Sequence, residues 1–284
     1  MRARRSCLSV PARPAKMLDK GPGFAADEVI LDLEDSVPAE LKEEARAAVA
    51  DALRDRTAWA APTVAVRINA VTTEWCEADL AAVASSADCV IVPKAESAAD
   101  VAGVATLLED AERAGSASRT TGIEALIESA RGLRNLHEIA ESSERLEALI
   151  LGPADMSVSL GFPSPDEGPR WAPVRISVLV AARAAGLQAI DGPFLQVADA
   201  DGARASAAIA RELGFDGKWA LHPSQIDSLN GTFAPGTAEV AQAEAILATL
   251  AGEASRGAVM LDGEMIDEAS RKRAEQILAR AGGG

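Results

Sequence analysis

The chain has 284 residues, 48% of them hydrophobic and 25% charged, which is ordinary globular usage and enough to bury a large core. Forty-three acidic residues outnumber 28 basic ones for a net charge of −15, which repels a phosphate backbone over most of the surface and argues against nucleic acid as a partner. Two histidines (His137 and His222), no tyrosine and three scattered cysteines (Cys7, Cys76, Cys89) exclude a three-histidine or Cys-x-x-Cys zinc site. They also weigh against a serine triad, since no Gly-x-Ser-x-Gly elbow is present, and the unpaired cysteines suit a reducing compartment.

Along the chain, short apolar runs alternate with Ala/Glu/Arg-rich stretches. The strand candidates are Ser6 to Ala12, Glu28 to Asp35, Thr63 to Asn69, Cys89 to Glu96, Ile123 to Ser129, Ala148 to Met156, Gln188 to Phe194 and Gly217 to Pro223. Predicted helices between them cover Glu40 to Asp55, Glu74 to Ser85, Ala98 to Gly115, Arg131 to Glu141, Val174 to Gly186 and Asp199 to Gly214, several of them stopping at glycine. Eight such strands within about 230 residues fit an α/β (β/α)8 TIM barrel over residues 1–230 better than an open doubly wound sheet. Residues 231–284 exceed what closure needs: a turn at Gly231 to Gly236, a helix from Ala238 to Gly252, an irregular link from Gly257 to Gly263 and a helix from Glu264 to Ala281. This C-terminal extension is expected to serve as a lid or as an arm to a neighbouring subunit. No stretch reaches the ~18 to 20 apolar residues of a membrane helix, and the apolar run at Cys7 to Val10 is too short for a signal peptide, so a cytoplasmic protein without membrane contact is expected.

In a barrel the C-terminal strand ends build the active face. Alternation in Ile30-Leu31-Asp32-Leu33-Glu34-Asp35 puts Asp32 and Glu34 on one face, toward the barrel mouth, while Asp35 could equally cap the next helix. Arg67, inside the apolar run Val64-Ala65-Val66-Arg67-Ile68, needs a carboxylate partner, either a substrate or Glu34 and Asp32. Lys94, in Val92-Pro93-Lys94-Ala95-Glu96, could form a Schiff base, but an ion pair with a glutamate is the favoured reading. Glu128 and Asp155 end adjacent strands and suit a hard octahedral cation, magnesium or manganese; the alternatives are helix caps or pairs with arginines such as Arg131. The Gly152-Pro153 turn would leave the amides of Ala154 and Asp155 facing an anion. His222, just before proline, reads by itself as a structural loop residue, and His137 as a surface or packing residue of a helix.

The segments Val29 to Val37, Val66 to Asn69, Val92 to Glu96, Gly152 to Asp155 and Leu221 to Gln225 occur in the order found in citrate lyase β-subunit-like proteins. The chain resembles that branch of the HpcH/HpaI aldolase family, which also holds malyl-CoA and citramalyl-CoA lyases, from about Ser6 to Asp267. The resemblance implies a magnesium-dependent carbon–carbon lyase that splits a 3-hydroxyacyl thioester into an acetyl thioester and a 2-oxo acid. The alternatives are a free 2-oxo-acid aldolase, an acyl-CoA thioesterase and a non-catalytic metabolite-binding subunit. It further implies Glu128 and Asp155 as metal ligands and Arg67 as the substrate-carboxylate arginine. Asp267, in Met265-Ile266-Asp267, becomes the proton-transfer residue reaching a neighbour's site, with Glu34 orienting Arg67 or a water. Substrate contacts are expected from Arg67, Glu128, Ala154, Asp155, Leu221 and His222. Coenzyme A contacts are expected from Arg13, Lys16 and Lys20, in a basic cluster that includes Arg2, Arg4 and Arg5; the same cluster could be an ordinary solvated end. A homotrimer or hexamer is implied, with citrate lyase α and acyl-carrier subunits as possible partners. Two departures stand out: Ala154 replaces a glutamate common in relatives, and Val10-Pro11-Ala12-Arg13-Pro14 lacks the Gly-Asn often found before Arg-Pro.

Overall fold

The computed structural model describes residues 2–84, 86–115, 120–252 and 258–282. Eight parallel strands close into a barrel in chain order: β1 (Ser6–Pro11), β2 (Glu28–Asp32), β3 (Thr63–Arg67), β4 (Cys89–Val92), β5 (Gly122–Ile127), β6 (Leu146–Leu151), β7 (Gln188–Asp191) and β8 (Gly217–Ala220), with β8 pairing back onto β1. Helices run between the strands, as a (β/α)8 fold requires. The expected strands are all present but shorter. The predicted sixth strand, drawn to Met156, ends at Leu151, because Gly152-Pro153 turns the chain and Pro153 opens a helix (Pro153–Ser159) with its ring at the first helical position. The helix predicted from Arg131 to Glu141 is two short pieces, Ala130–Arg134 and Leu136–Ala140, broken at Asn135, and His137 lies exposed on the second. Ser85, at the end of another predicted helix, lies outside the described residues; that helix covers Cys76–Val83.

The barrel interior is layered by polarity. Its middle is apolar, with Cys7, Ile30, Ala65, Ile91, Leu126, Ile150, Ile190 and Trp219 buried against one another. The N-terminal end is closed by Arg4, fully buried, whose guanidinium reaches Glu28 and Glu124 at 2.8 Å and Glu147 at 2.7 Å. A buried arginine is tolerable only with such partners. This corrects the basic cluster read from sequence. Arg2 pairs with Glu147 and Arg5 with Asp27, so with Arg4 they lie before β1 and are neutralised at the end of the barrel opposite the active face. Arg13, Lys16 and Lys20 alone follow β1.

The chain divides into two compact units between Thr232 and Phe233. The helix Ile226–Phe233 occupies part of the stretch expected as a turn from Gly231. The second unit holds a helix (Thr237–Gly252), an antiparallel pair, β9 (Ala258–Leu261) and β10 (Glu264–Asp267), and a helix (Glu268–Gly282). The hairpin corrects the sequence reading, which had an irregular link from Gly257 and a helix from Glu264; Gly257 itself lies outside the described residues. Asp262 and Gly263 both adopt positive φ, 50° and 88°, the requirement of a two-residue turn matched to strand twist. Val259 and Ile266 are buried, Met260 and Met265 exposed, as period-two alternation demands.

Candidate active site

At the C-terminal end of the barrel, β2 and β3 place Asp32 beside Arg67 in register. Asp32 grips the guanidinium at two points, Nε to Oδ1 and Nη2 to Oδ2, both 2.7 Å, while Arg67 Nη1 lies 3.1 Å from Glu34 Oε2 and 3.7 Å from Asp35. Burial alone would raise the Asp32 carboxyl; the Arg67 guanidinium and the contacts with Glu34 and Ser36 hold it below the usual range. Burial pushes the Glu34 carboxyl up, against the attraction of Arg67 and Lys94. Asp35 is exposed and caps no helix; the amides of Glu34 and Ser36 are taken by Asp32 instead.

Lys94 Nζ donates to Glu34 Oε1 at 2.6 Å, the ion pair favoured from sequence over a Schiff base. Its backbone adopts φ 51°, and its amide donates to Glu128 Oε1 at 2.8 Å. Glu128 is 6% exposed at the end of β5. Gly152 leaves room for it: a Cβ there would meet the Glu128 Cβ at 2.6 Å and Oε2 at 2.8 Å. Asp155 sits in the first turn of the Pro153–Ser159 helix. A second close approach fixes that turn, since Gly192, just after β7, packs its Cα against the Pro153 ring and the Leu151 carbonyl.

Outside the barrel, β7 is tied to the segment that follows Asp155. Arg175 reaches Asp191 Oδ1 from Nε and Glu167 Oε2 from Nη2, both 2.9 Å, and Ser206 Oγ donates to Glu167 at 2.6 Å. Buried Lys218 completes this cluster on Asp191.

A cavity of about 120 Å³ opens on this face, lined by the polar groups of Arg67, Asp35, Glu128 and Asp155 and by apolar side chains that include Leu126, Trp219 and Leu221. Burial pushes the Glu128 carboxyl up to about 8; the Lys94 amide opposes the rise, and the negative charges of Glu34 and Asp155 add to it. Two hard oxygen donors on one cavity, one of them raised by burial and like charge, fit a divalent cation that keeps several waters. No group of three or more His, Cys, Asp or Glu suited to a metal occurs among the described residues, so this pair is not part of an all-protein cage.

The structure gathers Arg67, Glu128, Ala154, Asp155 and Leu221 on the cavity and places Glu34 behind Arg67. His222 does not line it; the ring Nδ1 lies 2.8 Å from Ser224 Oγ and caps the Pro223–Gln225 turn. Arg13 pairs with Glu44 at 2.6 Å, and Lys16 and Lys20 are exposed beyond the end of β1. Asp267 belongs to the second unit, where its Oδ1 accepts the amides of Ala269 and Ser270 and caps the last helix. Sequence reading missed Trp219, whose ring lines the cavity 5.7 Å from the Arg67 guanidinium; a tryptophan alternating inward on the last barrel strand is the signal that could have found it.

Residues 5–223 match the HpcH/HpaI aldolase/citrate lyase family. The chain belongs to this family. It is 34% identical to the L-malyl-CoA/beta-methylmalyl-CoA lyase of Cereibacter sphaeroides strain ATCC 17029 over 95% of this chain and 96% of the relative. It is 38% identical to the citrate lyase subunit beta of Haemophilus influenzae over 100% and 99%. Among solved structures it resembles the protein CitE from Mycobacterium tuberculosis in complex with magnesium, acetoacetate and coenzyme A, at 34% identity and a TM-score of 0.77, covering 99% of this chain and 98% of that one. As a member of this family the chain is a carbon–carbon lyase. No helix among the described residues is long and apolar enough to cross a membrane.

Proposed function

We propose that this family member is a magnesium-dependent lyase that cleaves a 3-hydroxyacyl thioester, such as a malyl, citramalyl or citryl thioester, into an acetyl thioester and a 2-oxo acid. The observation that carries the reading is the meeting of Arg67, Glu128 and Asp155 on one cavity at the C-terminal face of the barrel. Magnesium held by Glu128 and Asp155 would act as a Lewis acid on the oxygen of the 2-oxo acid portion. Arg67, fixed by Asp32 on its Nε edge, keeps N–H groups on Nη1 and Nη2 for the substrate carboxylate. Glu34 orients Arg67 from the other side. When the carbon–carbon bond breaks, the 3-hydroxyl passes its proton to water and becomes the keto oxygen of the 2-oxo acid, while the electron pair of the broken bond passes to the acetyl thioester fragment as an enolate, which takes a proton at its α-carbon to become the methyl group. Asp267 of a neighbouring copy is the proposed proton donor, which requires a homotrimer or hexamer. Arg13, Lys16 and Lys20 are the proposed contacts for the phosphates of coenzyme A. A cytoplasmic setting, and association with citrate lyase α and acyl-carrier subunits, belong to the same reading.

The test is a panel of malyl-, citramalyl- and citryl-CoA with magnesium, assayed for acetyl-CoA, free coenzyme A and 2-oxo acid. Acetyl-CoA equimolar with 2-oxo acid, abolished in Glu128→Ala, is the expected result. Free coenzyme A as the product would make the protein a thioesterase, turnover of free hydroxy-oxo acids alone a simple aldolase, and binding without turnover a metabolite-binding subunit.

A further inference from the structure

Resting on that reading, we infer that Lys42 is a positioning residue of the lyase: its ammonium fixes the backbone at Leu33 and Glu34 and, through Glu34, the Arg67 guanidinium that receives the 2-oxo acid. Lys42 opens the helix Lys42–Ala52 and is 6% exposed. Its Nζ donates to the carbonyls of Leu33 and Glu34, both at 2.7 Å, and lies 5.4 Å from the centre of the Trp75 ring. Among the described residues the ammonium makes no ion pair. Burial lowers it, against the attraction of Glu34, Asp32, Asp79 and Asp35 from farther off.

That is a costly place for a cation. A buried ammonium ordinarily takes a carboxylate partner, and a positive charge at the start of a helix opposes the helix dipole. What the charge secures is the segment that leaves β2. Its last backbone bond to β3 runs from the Leu33 amide to the Arg67 carbonyl at 3.0 Å. Beyond that bond the chain carries the Glu34 carboxylate to Arg67 at 3.1 Å and to Lys94 at 2.6 Å, and puts Asp35 on the cavity. Leu33 and Glu34 are buried, so their carbonyls need donors from the protein. The Glu34 carbonyl also accepts the Val37 amide at 3.1 Å, but that bond lies within the same turn and ties it to nothing outside. Lys42 supplies the outside tie, with two charge-assisted bonds from one atom, and so sets where Glu34 meets the guanidinium. Glu128 keeps its bond to the Lys94 amide without Lys42, and Asp155 stands on a separate helix. Loss of Lys42 therefore falls on the 2-oxo acid rather than on the metal.

The test uses the full-length, magnesium-loaded protein with acetyl-CoA and glyoxylate, pyruvate or oxaloacetate. Lys42→Met is expected to raise KM for the 2-oxo acid about tenfold, with KM for acetyl-CoA and manganese affinity by calorimetry within about twofold of the parent. Lys42→Arg keeps a cation but not the single bonding point; it is expected to raise the same KM about fivefold, and it carries the test if Lys42→Met does not fold. A parental KM for the 2-oxo acid in the deciding variant, or a loss confined to kcat in step with a lower Tm, marks a merely structural lysine and overturns the inference. An equal loss of metal affinity also overturns it. Calorimetric binding of the same acids reads the comparison without turnover: weaker binding in the variant supports the inference, and equal binding overturns it. A parent that binds these acids but neither condenses nor cleaves removes the lyase reading alone.

Discussion

Lys94 and Glu128 are joined by a hydrogen bond from the Lys94 amide to Glu128 Oε1 at 2.8 Å, made from a left-handed backbone at φ 51°. The side chain of the same residue reaches Glu34, which faces Arg67, so Lys94 links the carboxylate proposed for the metal to the arginine proposed for the substrate. A non-glycine residue in this region costs on the order of 1–2 kcal/mol. Lys94→Gly keeps the amide and removes that cost but leaves Glu34 without its ammonium. Manganese affinity by calorimetry should stay within about threefold of the parent while kcat/KM falls at least about tenfold; equal losses in both would place the side chain in support of the metal.

Asp32 fixes Arg67 so that its charge is presented as a flat fork rather than a point. Arg67→Lys retains the charge and loses the two-point geometry, and should lower kcat/KM by about a hundredfold. Asp32→Asn keeps the shape but weakens the anchor, and is expected to raise KM for the 2-oxo acid in condensation more than it lowers kcat. Steady-state kinetics of both variants check the order; Arg67→Lys with parental kinetics would remove the arginine from the substrate.

With its carboxyl at about 8, Glu128 is protonated in the metal-free protein at neutral pH, and cation binding must displace that proton. Apparent magnesium affinity should weaken about tenfold for each pH unit below about 8 and level off above it. Titrations from pH 6.5 to 8.5, set by that value, check the slope. Glu128→Gln should abolish both the slope and most of the affinity, and a pH-independent affinity in the parent would refute the assignment.

Acid stability rests in part on Glu167. Burial would raise its carboxyl, but hydrogen bonds from Arg175 and Ser206 outweigh burial and hold it at about 2, against an ordinary 4.5. The unfolded chain therefore binds the proton first. The stabilisation is full above about 4.5 and drains away as pH falls toward 2. Glu167→Gln should lower Tm at pH 7 by roughly 2–6 °C and shrink the loss of Tm between pH 7 and 3. An unchanged acid profile by calorimetric scanning would show that the pair contributes nothing to it.

Lys16 and Lys20 are exposed beyond the C-terminal end of β1, and Arg13 is already shared with Glu44. Reversing the two lysines to glutamate should raise KM for an acyl-CoA about tenfold, more at low salt than at high, and leave KM for the 2-oxo acid in condensation unchanged. Equal effects on both substrates would place the lysines elsewhere in the mechanism.

Sequence by itself determined the barrel and the polar end of each strand. Alternation at two residues set Asp32 apart from Leu31 and Leu33, and eight spaced apolar runs with helical stretches between them favoured a closed parallel barrel over an open doubly wound sheet. Length and spacing left other features open, because they depend on groups far apart in the chain. Arg2, Arg4 and Arg5 read as one cluster with Arg13, Lys16 and Lys20, yet β1 runs between them, and carboxylates from three other segments, Asp27 with Glu28, Glu124 and Glu147, neutralise the first three at the closed end. The hairpin at Asp262-Gly263 escaped a helical reading of Glu264 because two positive φ values outweigh local propensity. Tertiary packing alone decided how the site is charged: Arg67 came to be shared among three carboxylates, with the Trp219 ring 5.7 Å from its guanidinium, since only barrel closure brings β2, β3, β5, β6 and β8 around one space.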